Sequence, residues 1–205
     1  MSNFTHLHLH TCYSLGSGTV RIENLISTAK KNNIKALALT DHLNIFGAIK
    51  FYNKCIEAKI KPIIGCEIPI LANSQVIGNI ILLCLNINGY YNLNKILSSI
   101  HTSRSSSLGA SVKLLDDHKS NLICLSGGRN GICGVNSLTK PLSDTEDIIK
   151  DLSQIFSNKF YIEIDYTERE NETIYNKNSL SFASKLDLPI VASNDVLFIS
   201  DSDYE

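Results

Sequence analysis

The run Ala36-Leu-Ala-Leu-Thr-Asp-His42 is a short apolar segment that ends in two polar residues. A short apolar run bounded by polar residues is typical of a strand buried in a parallel sheet. Before it, Ile22, Leu25, Ile26 and Ala29 recur at the spacing of one face of a helix. The two segments together predict one helix and one buried strand in alternation.

The same alternation continues along the chain. Seven apolar segments predict strands, at residues 4–9, 36–40, 61–67, 77–85, 121–126, 160–164 and 189–193. Helical patterns lie between most of them. Because short apolar strands that alternate with helices form mostly parallel sheets, the sequence predicts an α/β fold, a seven-stranded, TIM-like distorted (β/α)7 barrel. An open doubly wound sheet is the alternative.

The helix after the second predicted strand has a recognisable start. Asn44 belongs to the residue types that prefer the N-cap position. Apolar residues then follow at a spacing that suits a helix. The sequence therefore predicts a helix capped by Asn44 whose inward face carries Phe46, Ile49, Cys55 and Ile56.

The composition is that of a folded globular protein, with 43% hydrophobic and 19% charged residues. A length of 205 residues favours one domain over two small ones. The near balance of 19 Lys and Arg against 20 Asp and Glu excludes a strongly basic surface for duplex DNA. The six cysteines show no Cys-x-x-Cys spacing, and neither a signal peptide nor a membrane-spanning run is present. These features predict a cytoplasmic protein without a membrane partner.

The first predicted strand carries histidines at alternate positions, His6, His8 and His10. Successive side chains of a strand point to opposite faces, so all three imidazoles project to one face. A His-x-His pair at a strand end brings two ring nitrogens close enough to share a metal ion. Hydrogen-bonded histidines of the core are the alternative interpretation.

Polar residues also follow or close other predicted strands. They are Asp41, His42, Glu67, Asn194 and Asp195. Each alone is typical of a turn or a helix cap, but the carboxyl ends of all strands in a β/α barrel converge on one rim. The predicted metal ligands are His8, His10, His42, Glu67 and Asp195. Such a pocket suits divalent ions, and its usual chemistry is hydrolysis of a phosphoester.

Weaker candidates lie along the same predicted rim. Asp41, Arg129 and Asn194 are further rim candidates. The turn Ser126-Gly-Gly-Arg129 offers backbone N–H groups and a guanidinium to a phosphate, although a simple tight turn is an equally good interpretation. Glu163 and Asp165 flank a strand end and are candidates for the rim as well, but acidic residues are common at such ends.

Seven motifs, in this order, resemble the PHP (polymerase and histidinol phosphatase) domain of bacterial DNA polymerase III alpha subunits. They are His6-Leu-His-Leu-His-Thr-Cys-Tyr-Ser-Leu15, Ala36-Leu-Ala-Leu-Thr-Asp-His-Leu-Asn-Ile-Phe-Gly-Ala48, Lys61-Pro-Ile-Ile-Gly-Cys-Glu67, Gly89-Tyr-Tyr-Asn-Leu93, Leu125-Ser-Gly-Gly-Arg129, Phe160-Tyr-Ile-Glu-Ile164 and Leu188-Pro-Ile-Val-Ala-Ser-Asn-Asp195. The elements Asn44-x-Phe46-Gly47 and Gly89-Tyr-x-Asn-Leu93 favour the polymerase members over stand-alone histidinol phosphatases. The resemblance spans nearly the whole chain.

The resemblance implies a seven-stranded barrel with a cluster of metal ions in members whose sites are intact. The matching ligand positions are His8, His10, His42, Glu67 and Asp195. Four positions depart from the family pattern: Ser17 replaces an acidic residue, Asn79 and Leu197 replace histidines, and Gly128 replaces a cysteine. Because strong donors are lost together, we expect a partial site for one divalent ion, zinc, manganese or magnesium.

The resemblance also implies a role for a larger protein. Residues 1–205 would form a single PHP domain, the N-terminal piece of a DNA-directed DNA polymerase of replication whose palm, with its magnesium-binding carboxylates, lies beyond Glu205. Residues 201–205 resemble the start of the next helix of that family. The domain would brace the palm and thumb and dock the proofreading exonuclease subunit and other replicase subunits. DNA would be bound by the full-length protein.

Two other functions stay open at this point. The chain could be an active, stand-alone metal-dependent phosphoesterase of the histidinol-phosphatase type, against which the four displaced ligands count. It could also be a purely structural module that binds neither metal nor substrate. By resemblance, we expect a largely structural domain whose phosphoesterase or 3′–5′ exonuclease centre is degenerate and has little or no activity.

Overall fold

The computed structural model describes residues 4–104, 107–139, 142–200 and 203, with the side chains of all of these except residues 137–139. The expected helix start at residues 201–205 lies outside the described residues apart from Asp203. The helices are α1 (Ile22–Lys31), α2 (Ala48–Glu57), α3 (Ile87–Thr102), α4 (Val112–His118), α5 (Ile132–Thr139), α6 (Leu142–Phe156) and α7 (Glu172–Leu186). The strands are β1 (Ala36–Leu39), β2 (Lys61–Ala72), β3 (Gln75–Cys84), β4 (Ala110–Ser111), β5 (Leu122–Leu125), β6 (Phe160–Asp165) and β7 (Ile190–Ser193). Among the described residues, none of the helices has both the length and the apolar character that crossing a membrane requires.

The strands form one curled sheet in the order β1-β2-β3-β5-β6-β7, and β4 pairs with the outer part of β2. Neighbouring strands are parallel except at β3, which is antiparallel to both β2 and β5. The reason is a tight hairpin, in which Asn73 and Ser74 connect β2 to β3 with positive φ angles of 50° and 63°. Such a two-residue turn can only return the chain antiparallel. The predicted barrel class is confirmed, with one reversed strand.

The first predicted strand, residues 4–9, is not a regular strand. It makes isolated parallel bridges, from His6 to Leu37 on one side and from Leu9 to Val196 on the other. The His10 N–H donates to the carbonyl of Val196 at 2.9 Å. This segment touches each neighbour at too few points for a continuous ladder. It nevertheless lies between β1 and the chain after β7, and it therefore closes the gap between the two ends of the sheet.

The strands separate two layers of core because their side chains alternate between the two faces of the sheet. Ala38, Ile81, Leu83 and Leu125 pack together inside the curl and are almost completely buried. The alternate residues of the same strands, for example Leu82 of β3, pack outward against the helices. The barrel interior is therefore filled by side chains, and polar groups are left at its end.

Helix α2 presents a different face to the core than the sequence predicts. The helix begins at Ala48, with Gly47 rather than Asn44 at the N-cap. Its buried residues are Ala48, Phe51 and Cys55. Phe46, Ile49 and Ile56 are instead 75%, 67% and 54% exposed. The helix thus carries apolar residues on two faces. The face with Ala48, Phe51 and Cys55 packs into the core, and the other face is exposed.

Candidate metal centre

All the predicted ligands lie at the end of the curled sheet where the parallel strands finish. His8 and His10 come from residues 4–11, the closing segment between β1 and the chain after β7, and His42 follows β1. Glu67 lies within β2, opposite His42, to which it is joined by an isolated bridge. Asp195 follows β7. The fold thus brings together residues that are nearly the whole chain apart in sequence.

The centre is built around two imidazoles and a carboxylate. The Nε2 atoms of His8 and His10 lie 3.1 Å apart. Asp195 Oδ1 lies 3.8 Å from His8 Nε2 and 3.5 Å from His10 Nε2. Among the described residues, this is the one group of three donor atoms within 4.8 Å of one another. His6, two residues earlier, packs its ring against Phe4 instead.

Hydrogen bonds fix which nitrogen of each imidazole carries the proton. His8 Nδ1 lies 3.1 Å from Glu163 Oε1, so it donates to this carboxylate. His10 Nδ1 lies 3.0 Å from Ser14 Oγ, whose own proton goes to Asp41 Oδ1. His10 Nδ1 is therefore the donor of that contact. Both Nε2 atoms are then left with lone pairs that face each other across 3.1 Å, an arrangement that needs a proton or a cation between them.

The Asp195 carboxylate supports the same conclusion. Its side chain is 6% exposed, and its Oδ1 atom has no hydrogen-bond partner within the part of the chain that the structure describes. A buried carboxylate oxygen without a partner is costly. Two imidazole nitrogens and one carboxylate oxygen are a donor set that divalent ions accept. The residues present therefore fit one divalent ion.

Glu67 and His42 form the outer side of the centre. His42 Nδ1 donates to Glu67 Oε2 at 2.7 Å, and Asn79 Nδ2 donates to Oε1 at 2.9 Å. Burial alone would raise the pKa of Glu67, but the contacts with His42 and His8 lower it well below its usual range. Glu67 Oε1 lies 3.7 Å from His8 Nε2. A charged carboxylate therefore stands beside the two histidines.

Carboxylates behind the histidines also change their protonation. Burial works to lower the pKa of His8, but Glu163, Glu67 and Asp195 together outweigh burial and raise that pKa well above the usual value. Glu163 is fully buried and also accepts the hydroxyl proton of Ser193. Burial and the neighbouring His8 lower the pKa of His10. The pair is thus arranged to hold a single positive charge.

Asp41 is a support of the centre and not an exposed rim residue. It is fully buried. Its oxygens accept the backbone N–H of Thr11 at 2.6 Å, the Thr11 hydroxyl at 2.8 Å and the Ser14 hydroxyl at 2.6 Å. These three hydrogen bonds hold the turn after His10. Asp41 therefore positions His10 through Ser14.

Among the described residues, no hydrogen bond or ion pair joins the side chains of the other two rim candidates to His8, His10 or Asp195. Arg129 is exposed, and its backbone N–H donates to Asp165 Oδ2 at 3.2 Å. Asn194 lines a groove beside β7 together with Phe4 and Leu180. The reason is strand alternation, which turns residue 194 away from the face that carries residues 193 and 195.

The glycine turn after β5 packs against a carboxylate of the same chain, that of Asp165. Gly127 and Gly128 have positive φ angles of 86° and 58°. A Cβ atom at Gly128 would lie 2.7 Å from Asp165 Oδ2. The turn thus packs against the Asp165 carboxylate, and the interpretation as a tight turn agrees with the structure.

The four departures from the family pattern have other partners. Ser17 is exposed and donates its hydroxyl to the carbonyl of Ser14 at 3.2 Å. The Asn79 amide donates a hydrogen bond to Glu67, and Gly128 packs against the Asp165 carboxylate. Leu197 offers its backbone carbonyl to Thr19. Among the described residues, these four positions therefore add no metal-binding side chain beside the first three.

The sequence patterns indicate some residues of the centre only weakly and others not at all. The sequence indicates Glu163 only weakly, and it does not indicate Ser14, Ser193 or Arg169 as members of the centre. The signal for Ser193 was its position two residues before Asp195, which puts both on one strand face. Arg169 lies in the loop between β6 and α7, and its Nη1 is 3.6 Å from Asp195 Oδ2. Its sequence surroundings gave no comparable signal.

Comparison with known proteins gives two kinds of match. The family model of the PHP domain matches residues 6–167. The DNA polymerase III subunit alpha of Pasteurella multocida (strain Pm70) is 32% identical over 98% of this chain and 18% of that protein. Its counterpart in Borreliella burgdorferi is 34% identical over 98% of this chain and 19% of that protein. The chain therefore spans less than a fifth of the length of these curated relatives.

Solved structures support the fold. An amidohydrolase from Chromobacterium violaceum superposes with a TM-score of 0.64 at 13% identity, covering 96% of this chain and 88% of that one. A protein from Bifidobacterium adolescentis, described as a metal-dependent phosphoesterase, superposes with a TM-score of 0.61 at 12% identity, covering 95% and 87%. At these identities the likeness confirms the distorted barrel alone.

Proposed function

The chain belongs to the PHP domain family, and from this premise we propose that it is the N-terminal PHP domain of a bacterial DNA polymerase III alpha subunit, with a mainly structural role. The curated relatives named DNA polymerase III subunit alpha, at 32% and 34% identity over 98% of the chain, carry this proposal. The whole protein would extend primers with deoxynucleotides, using magnesium in a palm outside residues 1–205. This segment would not polymerise DNA by itself.

The partners of the domain follow from the same proposal. It would brace the palm and thumb of its own chain and dock the proofreading exonuclease subunit and other replicase subunits, while the whole protein binds DNA. We place the protein in the cytoplasm. Among the described residues the cysteines form no disulfide, which supports a reducing compartment. Burial raises the pKa of the Cys55 thiol to about 12, which makes this thiol unreactive near neutral pH.

We propose further that the centre holds one divalent ion, zinc, manganese or magnesium. His8 Nε2, His10 Nε2 and Asp195 Oδ1 would hold it, with Glu67 and His42 beside them. The observation that supports this most is the pair of Nε2 lone pairs that face each other at 3.1 Å. When bound, such an ion polarises a phosphoryl oxygen and activates water. Glu163 and Ser14 would keep the two imidazoles turned toward the ion.

Hydrolysis at this centre would be weak or absent. An in-line displacement at phosphorus is usually stabilised by two metal ions a few ångströms apart. Ser17, Asn79, Gly128 and Leu197 do not add a second set of donors. The remaining ligands would suffice for one ion.

Metal analysis and an activity assay test this proposal together. The chain is purified without chelator, and bound metal is measured before and after titration with Mn²⁺ or Zn²⁺. Hydrolysis of a small phosphate ester is followed with each ion. We expect one ion per chain, its binding lost in His8→Ala and kept in His118→Ala, a histidine at the end of α4 away from the centre. Hydrolysis should stay near background.

Two results would contradict the proposal. Two or more tightly bound ions per chain, with hydrolysis that disappears in His8→Ala, would favour the stand-alone phosphoesterase. Failure of every divalent ion to bind would favour a purely structural module.

A further inference from the structure

His42 differs from the two inner histidines of the centre in how its side chain is held. The side chains of His8 and His10 are 2% and 5% exposed, whereas the side chain of His42 is 39% exposed. Its Nδ1 atom donates to Glu67 Oε2 at 2.7 Å. Because packing encloses this ring so little, its position over Glu67 depends on the backbone that carries it.

The backbone directly after His42 has an unfavourable conformation. Leu43 has a φ angle of +54°, in the left-handed region that bulky residues rarely adopt. Such a conformation persists only where surrounding contacts hold it. The Leu43 N–H donates to the carbonyl of Glu67 at 2.9 Å, and its partly buried side chain packs against the core beneath the helices. These contacts hold residue 43 from the side of the sheet.

His101 holds the same residue from the side of solvent. It lies in the last turn of α3, and its Nε2 donates to the carbonyl of Leu43 at 2.7 Å. The preceding residue, Ile100, is 1% exposed and belongs to the core cluster against which Leu43 packs, so the end of α3 is firmly placed. His101 itself is exposed. Both main-chain groups of Leu43 are thus bonded, the N–H to β2 and the carbonyl to α3.

Resting on the one-ion centre proposed above, we propose that His101 is a positioning residue of this centre. By holding the Leu43 carbonyl, it keeps the His42 ring over the Glu67 carboxylate. Glu67 Oε1 lies 3.7 Å from His8 Nε2, so a displaced His42 would also loosen the charged group beside the inner histidines. His101 acts through the backbone of residues 42 and 43, and it connects the exposed end of α3 to the centre.

Two substitutions of His101 in the metal-free chain separate its hydrogen bond from its bulk. His101→Leu removes the donor, whereas His101→Gln keeps an N–H donor on a side chain of similar reach. Amide hydrogen exchange at Leu43 measures opening of the loop. Nuclear magnetic resonance of the His42 ring nitrogens reports the hydrogen bond to Glu67, which a merely structural role of His101 would leave unchanged.

We expect exchange at Leu43 to be about fivefold faster in His101→Leu, the factor that corresponds to one typical net hydrogen bond. The ring signals of His42 should shift in the same variant. His101→Gln should restore most of both properties, and His118→Leu, at the end of α4, should change neither. Unchanged exchange and ring signals in a folded His101→Leu variant would overturn the proposal, and so would equal changes in His101→Leu and His101→Gln.

Titration of Mn²⁺ into the same proteins tests the connection to the ion. The affinity should fall about threefold to fivefold in His101→Leu and recover in His101→Gln, since the coupling cannot exceed the contribution of the lost hydrogen bond. A loosened loop with unchanged Mn²⁺ affinity would show that His101 does not act on the centre, and the proposal would be wrong.

Failure of the centre itself has a different signature. If Mn²⁺ does not bind even the unsubstituted chain, the one-ion centre is wrong and the role of His101 toward the ion is wrong with it. The exchange and ring measurements, made without metal, still decide whether His101 holds His42 in place. Circular dichroism verifies that each variant is folded.

Discussion

Gly128 stands where the family resemblance leads one to expect a cysteine ligand, and Asp165 fills the space that a side chain there would need. The carboxylate lies 2.7 Å from the position of a Cβ atom at Gly128, whose φ is +58°. Burial raises the pKa of Asp165, and the adjacent Glu163 raises it further. Restoring a side chain at position 128 would therefore not restore a ligand.

This leads to a prediction about stability. Gly128→Ala should lower the free energy of unfolding by about 2 kcal/mol or more, since it adds a steric conflict to an unfavourable backbone conformation. Gly16→Ala is the matched control, because Gly16 has φ +83° but open space around its Cβ position. It should cost about 1 kcal/mol, the backbone contribution alone. Urea unfolding measures both, and equal losses would show that Asp165 causes no conflict.

The candidate ligands were more predictable than the residues that orient them. The alternation of His8 and His10 and the position of Asp195 after an apolar strand are visible in the sequence because they depend on local periodicity. Glu163 and Ser14 act through contacts across the fold, and Glu163 is 155 residues from His8. Glutamate and serine are too common for their identity alone to reveal such contacts.

At the scale of elements, the loop between β6 and α7 depends on one carboxylate. Burial alone would raise the pKa of Glu172, but hydrogen bonds from Thr167 and Arg169 lower it on balance. A lowered pKa in the folded chain means that the ionised form stabilises the fold. This contribution is complete above the ordinary pKa of glutamate and is lost as the pH falls through the lowered value.

Glu172→Gln should therefore destabilise the chain by about 1 kcal/mol at neutral pH, because the neutral amide accepts weaker hydrogen bonds from Thr167 and Arg169 than the carboxylate does. The difference from the unsubstituted chain should shrink as the pH falls below the ordinary range of a glutamate pKa. Glu170→Gln, at an exposed position of the same loop, should have no effect at either pH. Thermal unfolding at several pH values measures this. A difference that grows toward acid pH would contradict the assignment.

Some elements could not be read from periodicity. The apolar run that became β3 predicts a strand correctly but not its direction, which the hairpin at Asn73 and Ser74 determines. Helix α2 carries two apolar stripes, and the sequence does not show which stripe meets the sheet. The choice follows from the helix start at Ala48, which is set by its contacts with the rest of the fold.

For the whole molecule, the barrel class and the location of the centre could be predicted because they share one cause. Alternating strands and helices predict a curled parallel sheet, and such a sheet brings all its strand ends to one place. The balance of charges, 19 basic against 20 acidic residues, predicts that this segment has no strongly basic DNA-binding face. What composition could not show is the apolar surface that α2 exposes.

This apolar surface predicts the behaviour of the isolated chain. Its exposed residues are Ile49, Tyr52 and Ile56 of α2 with Leu85, Ile87 and Tyr91 near the start of α3. Contiguous exposed apolar patches favour association. The double substitution Ile49→Lys/Ile56→Lys should reduce self-association and the binding of a dye that recognises exposed apolar surface. It should not lower the melting temperature. Val76→Lys, an exposed apolar residue in the hairpin outside this surface, should not. Sedimentation velocity over a range of concentrations measures this, and an unsubstituted chain that stays monomeric throughout would contradict it.

The closing segment has a consequence for how the protein is made. On the ribosome, residues 4–11 emerge long before Val196, the partner that completes their hydrogen bonding. Contacts between such distant parts of a chain form slowly, and until then the open edge of the sheet is exposed to association with other chains. A nascent chain interrupted before Asp195 would lack both barrel closure and the third donor of the centre. Translation must therefore pass Val196 before the centre can form, and chaperones would meet the unclosed form first.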